Sequence, residues 1–162
     1  MADINGLKLI NDSYGHKAGD SLIKKSAEIL EESVRQEDIV SRWAGDEFVI
    51  LLPQTGKEAT EKIIARIIEK TNETETDAIP ISIGLGFAIK FEPEVDVYKV
   101  LNEADKNLYH NKISYGKDSE SKIVKSFLDS QGSQSGETKD HAQRMAKLAR
   151  KLGRKLNLSA TQ

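Results

Sequence analysis

The chain has 162 residues, 38% hydrophobic and 31% charged, which suits one compact globular domain with an appendage and excludes a disordered chain. No apolar run approaches the ~20 residues of a membrane span, no signal-peptide pattern is present, and Cys is absent, so a cytoplasmic location is expected and any metal needs oxygen or imidazole ligands. The net charge of −2 gives no general basic excess, and nucleic acid is not an expected partner.

In chain order, Asp3 stands where a strand gives way to a helix. Leu22, Ile23, Ala27, Leu30 and Val34 recur at helical spacing and predict a helix over 18–34. Residues 38–43 and 46–52 read as two strands meeting at Ala44-Gly45-Asp46, a hairpin whose turn uses glycine. Thr55-Gly56-Lys57-Glu58 has the pattern of a capping box, and Ala59, Ile63, Ile64, Ile67 and Ile68 continue a helix from it. Over 81–89, Ile81, Ile83, Leu85, Phe87 and Ile89 alternate with small Ser82, Gly84, Gly86 and Ala88, as in a strand with one closely packed face. Val97, Val100, Leu101, Ala104 and Leu108 predict another helix.

Strands mixed with helices imply an α+β domain over 1–117, helices packed on a sheet. Residues 118–136 read as a linker, richest in Ser, Gly and Gln from 129 onward. Residues 137–162 predict a final amphipathic helix with Ala142, Met145, Leu148, Ala149, Leu152 and Leu156 on one face. That segment holds seven basic and two acidic residues; because they alternate with the apolar stripe, they read as a solvated helix face.

The chemistry concentrates in Asp3–Asp12, Gly15–Asp20 and Arg42–Phe48. Asp3 sits at a strand end, and Asp46 and Glu47 at a hairpin turn. If the two strands are neighbours, these carboxylates converge on a hard cation such as Mg²⁺, which takes one or two protein carboxylates and fills its other positions with water and phosphate oxygens. Taken singly, acidic residues at turns and caps are accounted for by local backbone chemistry.

Taken together, DINGLKLINDSYGHKAGD, the later Arg35-x-x-Asp38 and RWAGDEF resemble the GGDEF (diguanylate cyclase) family. The resemblance covers residues 1 to about 117 and implies a nucleotidyl-cyclase-like (ferredoxin-like) sheet. It implies condensation of two GTP into cyclic di-GMP in a homodimer, with Mg²⁺ or Mn²⁺ as cofactor. By the same resemblance Asp3, Asp46 and the Ile4 carbonyl are metal ligands, and Glu47 is a metal-site carboxylate that helps deprotonate the attacking 3′-hydroxyl. Asn11 and Asp20 match the pair that reads the guanine edge. Gly6 and Leu7 offer backbone N–H groups to phosphate, and Lys8 and Lys112 add positive charge near the triphosphate. His16 belongs to the motif in a structural role. Arg35 and Asp38 resemble a product-inhibition site, and an ordinary ion pair is the other reading of them.

Residues 137–162 resemble the first helix of an HD-GYP phosphodiesterase domain, with His141 its first metal ligand; without the rest of that motif no hydrolase activity is expected. Two departures from the GGDEF pattern bear on activity. Ala44 replaces a glycine, which matters only if that backbone needs a positive φ or close phosphate approach. The family's upstream helix and the apolar half of its first strand have no counterpart before Met1, so unpaired backbone and exposed apolar side chains are expected beside a central strand. These departures favour the competing expectation, a degenerate, non-catalytic module that binds GTP or cyclic di-GMP.

Overall fold

A computed structural model describes residues 1–74, 79–112 and 139–155. The linker and the end of the first domain near Lys117, like Leu156, lie outside them. The chain divides into two units, Met1–Ile123 and Val124–Gln162.

The first unit is a four-stranded antiparallel sheet in the order β2-β3-β1-β4, with helices packed on it. Its strands are β1 (Ala2–Ile4), β2 (Ile39–Ala44), β3 (Glu47–Leu51) and β4 (Ile83–Leu85). Its helices are α1 (Leu7–Tyr14), α2 (His16–Glu32), α3 (Lys57–Glu73) and α4, residues 97–112. The α+β architecture expected from the sequence is therefore present.

One face of the sheet is apolar. Ala2, Ile4, Phe48 and Leu85 point into a core with Leu22, Ile29 and Leu30 of α2 and Ile63 and Ile67 of α3. The helical spacing of these residues places them on single stripes, and burying each stripe is what holds the helices to the sheet. α1 adds Leu7 and Ile10, three residues apart on its inner side.

Two local features differ from the sequence expectation. The capping box does not form: Gly56 is the N-cap of α3 without a side-chain cap bond, and the Thr55 hydroxyl donates instead to the Pro53 carbonyl at 2.9 Å. β4 is shorter than the alternation over 81–89 because β1, its pairing partner, reaches only from Ala2 to Ile4. Beyond Met1, a groove of about 540 Å³ opens between the Val49–Leu52 side of β3 and residues 87–91, with Val100, Leu101 and Ala104 of α4 beside it. Leu51 (55% exposed) and Phe91 (83% exposed) lie along it. Lastly, Ala44 is unstrained. Gln54 is the one non-glycine with positive φ among the described residues, and the turn's left-handed position belongs to Gly45, φ 48°.

The second unit contributes α5, Lys139–Lys155, on which Met145, Leu148 and Leu152 are exposed.

Candidate active site

The sheet's other face is polar where β1 ends. In the antiparallel ladder Asp3 stands opposite Glu47 of β3 on one side and Gly84 of β4 on the other. Residues directly opposite share a face, so Glu47, Asp3 and Gly84 form a row across three strands. α4 covers this row. A Cβ built on Gly86 would lie 2.1 Å from the Leu108 nitrogen, so the helix backbone rests directly on β4's extension. Asn107 and Asn111 pin the same helix by donating to the Phe87 and Leu85 carbonyls, each at 2.9 Å.

The hairpin tip is fixed from two directions. The Arg42 guanidinium donates to the Gly45 carbonyl at 2.9 Å across a register shift between Arg42 and Ala44. The Ile4 amide donates to the Asp46 carbonyl at 3.1 Å, tying the turn to the end of β1. Short strands thus bring the chemistry of two distant sequence motifs together.

A cavity of about 320 Å³ lies over the row, lined by Asp3 and Glu47 with Asp105, Tyr109, His110 and Lys112 of α4. The Lys112 ammonium is 2.5 Å from Asp3 Oδ1. It is an ion-pair contact: that oxygen is buried and meets no donor in hydrogen-bond geometry. Burial raises the Asp3 pKa, Lys112 opposes the rise, and the nearby Asp46 and Asp105 charges add to it. Asp46 is close enough to act on Asp3 but does not line the cavity. Among the described residues no three His, Asp or Glu side chains already stand together as a metal cage.

The other expected residues sit elsewhere in the unit. Gly6 caps α1 in the left-handed region, φ 74°, and Leu7 and Lys8 open that helix directly after β1. Asn11 does not spend its side chain on the turn at Gly15; its backbone carbonyl accepts the Gly15 amide at 2.9 Å. Its Oδ1 is buried without a donor and would lie 2.0 Å from a Cβ on Gly19, the residue before Asp20. His16 is the exposed first residue of α2.

Arg35 and Asp38 form a local turn rather than a side-chain pair. Asp38 Oδ2 accepts the Arg35 backbone amide at 2.8 Å, and the Arg35 guanidinium reaches Glu37 at 3.8 Å. A second cavity, about 260 Å³, is lined by Arg35 with Lys62 and Arg66 of α3. Arg66 donates both Nε and Nη2 to the Ser33 carbonyl.

Asp105 is the functional candidate that motif reading missed. The available signal was spacing: Asp105, Leu108 and Lys112 fall at i, i+3 and i+7, one face of a helix.

Residues 1–117 match the family described as "Diguanylate cyclase, GGDEF domain". The diguanylate cyclase DosC of Escherichia coli is 32% identical over 114 residues, covering 67% of this chain and 25% of that protein. DgcS of Shewanella oneidensis is 34% identical over 115 residues, covering 70% of this chain and 38% of that protein. The chain therefore spans well under half the length of these relatives. Among solved structures, the GGDEF domain of YfiN from Pseudomonas aeruginosa superposes with a TM-score of 0.63 at 29% identity, covering 70% of this chain and 73% of that one. A microbial GGDEF domain described in its interaction with cyclic di-GMP gives a TM-score of 0.58 at 30% identity, covering 70% of each chain. The chain belongs to the GGDEF family of diguanylate cyclase domains.

Proposed function

We propose that residues 1–117 act as a diguanylate cyclase: in a homodimer, two facing domains each hold one GTP. Each 3′-hydroxyl attacks the α-phosphorus of the other nucleotide, forming a phosphodiester and releasing pyrophosphate, so two GTP give one cyclic di-GMP and two pyrophosphates. The observation that carries this reading is the Asp3–Glu47 pair, set side by side on one sheet face beneath a lysine, in a chain of this family.

The cavity suits a hard divalent cation. Its acidic lining is Asp3, Glu47 and Asp105, and the Asp3 carboxylate already holds one cation, the Lys112 ammonium. Mg²⁺ or Mn²⁺ needs only one or two such carboxylates when triphosphate oxygens complete its shell, so the lack of a preformed three-carboxylate cage is no obstacle. Such an ion would supply charge neutralisation on the triphosphate and activation of the attacking oxygen. Asp3 and Glu47 would hold it from adjacent strands, with Asp46 and the Ile4 carbonyl as further ligands from the hairpin edge, and Glu47 would help take up the 3′-hydroxyl proton. Lys112 and Lys8 balance phosphate charge, and the α1 N-terminus, opened by left-handed Gly6, presents the Leu7 amide to phosphate. Asn11, with its unmet Oδ1, and Asp20 take the guanine donors. Arg35 and Asp38 bind cyclic di-GMP as inhibitor, in a cytoplasmic enzyme. Beyond residues 118–136, which we read as a linker, residues 137–162 begin an HD-GYP-like segment; helix Lys139–Lys155 is consistent with that reading.

A non-catalytic module binding GTP or cyclic di-GMP is the second reading, favoured by the Lys112 ammonium seated on Asp3 Oδ1. Incubating the chain with GTP and Mg²⁺ separates the two. Cyclic di-GMP and pyrophosphate, lost in Glu47→Gln, support the cyclase; nucleotide binding without turnover supports the module.

A further inference from the structure

We propose that Gly84 positions Lys112 as a resident counter-ion of Asp3, occupying the place a divalent cation takes when nucleotide arrives. The inference rests on the cyclase reading and adds to it a competition between two cations for one carboxylate.

The geometry begins with the row of Glu47, Asp3 and Gly84. Its two carboxylates stand on β3 and β1, and the third place, on β4, is bare. A Cβ on Gly84 would lie 3.1 Å from both Cγ and Cε of Lys112 and 3.1 Å from Leu108 Cδ1. The lysine stem therefore lies against the β4 backbone, and glycine gives it the space to reach Asp3. α4 cannot slide to relax this arrangement: Gly86 meets its backbone, and Asn107 and Asn111 hold it to the Phe87 and Leu85 carbonyls.

The pair is sheltered. The Asp3 side chain is 14% exposed and that of Lys112 31% exposed. Water and salt screen such a pair less than they screen a surface ion pair. Yet Lys112 is well suited to leave: an ammonium on a flexible four-carbon stem is a movable point charge, unlike a planar guanidinium locked in a fork. A divalent ion and an ammonium compete for the charge of the Asp3 carboxylate, and a cation that takes Oδ1 displaces Lys112 from it. Triphosphate then offers the displaced ammonium a new partner. Without nucleotide, Lys112 weakens cation binding.

Titrating Mn²⁺ into the nucleotide-free chain, with free Mn²⁺ followed by electron paramagnetic resonance, tests this without reference to turnover. Lys112→Met keeps the stem and removes the charge; it should tighten Mn²⁺ binding about tenfold or more. Lys112→Arg should keep the affinity near that of the unaltered chain, and Gly84→Ala, which presses on the stem, should fall between. Adding Asp3→Asn to Lys112→Met should abolish the gain. A damaged site loses affinity, so a gain cannot come from misfolding. The inference is overturned if Lys112→Met binds Mn²⁺ no more tightly while Asp3→Asn still removes binding. If Asp3→Asn changes nothing in either background, the cyclase reading fails at its cation site and the inference falls with it.

Discussion

Asp3 and Glu47 stand directly opposite one another in the β1–β3 ladder, so two carboxylates from motifs more than forty residues apart leave the same sheet face. Burying the Asp3 carboxylate there has a cost. Burial raises the Asp3 pKa against the pull of Lys112, so the native chain holds that proton more tightly than the unfolded chain does. The stability Asp3 contributes is complete below the ordinary value of 3.8 and is lost as pH rises through the raised native value. Asp3→Asn should therefore melt at a higher temperature than the unaltered chain at pH 7 in chelator, with the advantage shrinking toward pH 4. Thermal melts at both pH values check it; a lower melting temperature at pH 7 would contradict it.

The Met1 amine gives the opposite slope. It donates to the Gly86 carbonyl at 2.9 Å, and burial pushes its pKa below 8.0, with Asp105 partly opposing. Between the lowered native value and 8.0 the unfolded chain holds more protons, so stability rises with pH across that interval. Acetylating Met1 should remove that rise. Four apolar residues added before Met1 should enter the groove beside Val49–Leu51 and raise the melting temperature by about 5 °C. Denaturation curves between pH 6 and 9 read the first effect, and a melt at pH 7 reads the second.

Gly86 is a contact point between backbones. A methyl group there would meet the Leu108 nitrogen at 2.1 Å and the Ala104 oxygen at 2.5 Å, so α4 must lift. Gly86→Ala should cost about 3 kcal/mol in urea unfolding. Gly56→Ala, at a position with open space and φ −85°, should cost less than about 1 kcal/mol. Equal costs at the two sites would show that α4 is not seated on Gly86.

Arg35 keeps its guanidinium off Asp38, whose Oδ2 accepts the Arg35 amide instead. The arginine lines a cavity it shares with Lys62, Arg66 and Glu32, a net basic setting for a phosphate. Arg35→Ala should raise the cyclic di-GMP concentration needed for half-inhibition about tenfold, the loss of charge-assisted bonds. Inhibition curves at fixed GTP measure it, and an unchanged curve leaves Arg35 an ordinary surface residue.

Local pattern carried much of the fold into the sequence. The stripe through Leu22 and Leu30, the Ile63 and Ile67 pair and the alternation of Ile81, Ile83 and Leu85 all mark core or core-packed residues, because helix and strand periods decide which side chains share a face. Thr55 shows the limit of local rules: its hydroxyl donates to the Pro53 carbonyl, and Gly56 rather than Thr55 is the N-cap of α3. The site was less legible. Its acidic residues were visible as motifs, but the opposition of Asp3 to Glu47 is a matter of strand register, which no local spacing encodes. Asp105 joined the cavity only because α4 lies over β4, a packing decision made by Gly84 and Gly86.

The most direct test is a crystal of the chain grown with a non-hydrolysable GTP analogue and Mn²⁺, with the metal located by its anomalous signal. A Mn²⁺ peak is expected within coordination distance of both the Asp3 and Glu47 carboxylates, with Lys112 moved from Asp3 onto phosphate. A nucleotide bound with its metal away from both carboxylates, and Lys112 still seated on Asp3, would contradict it.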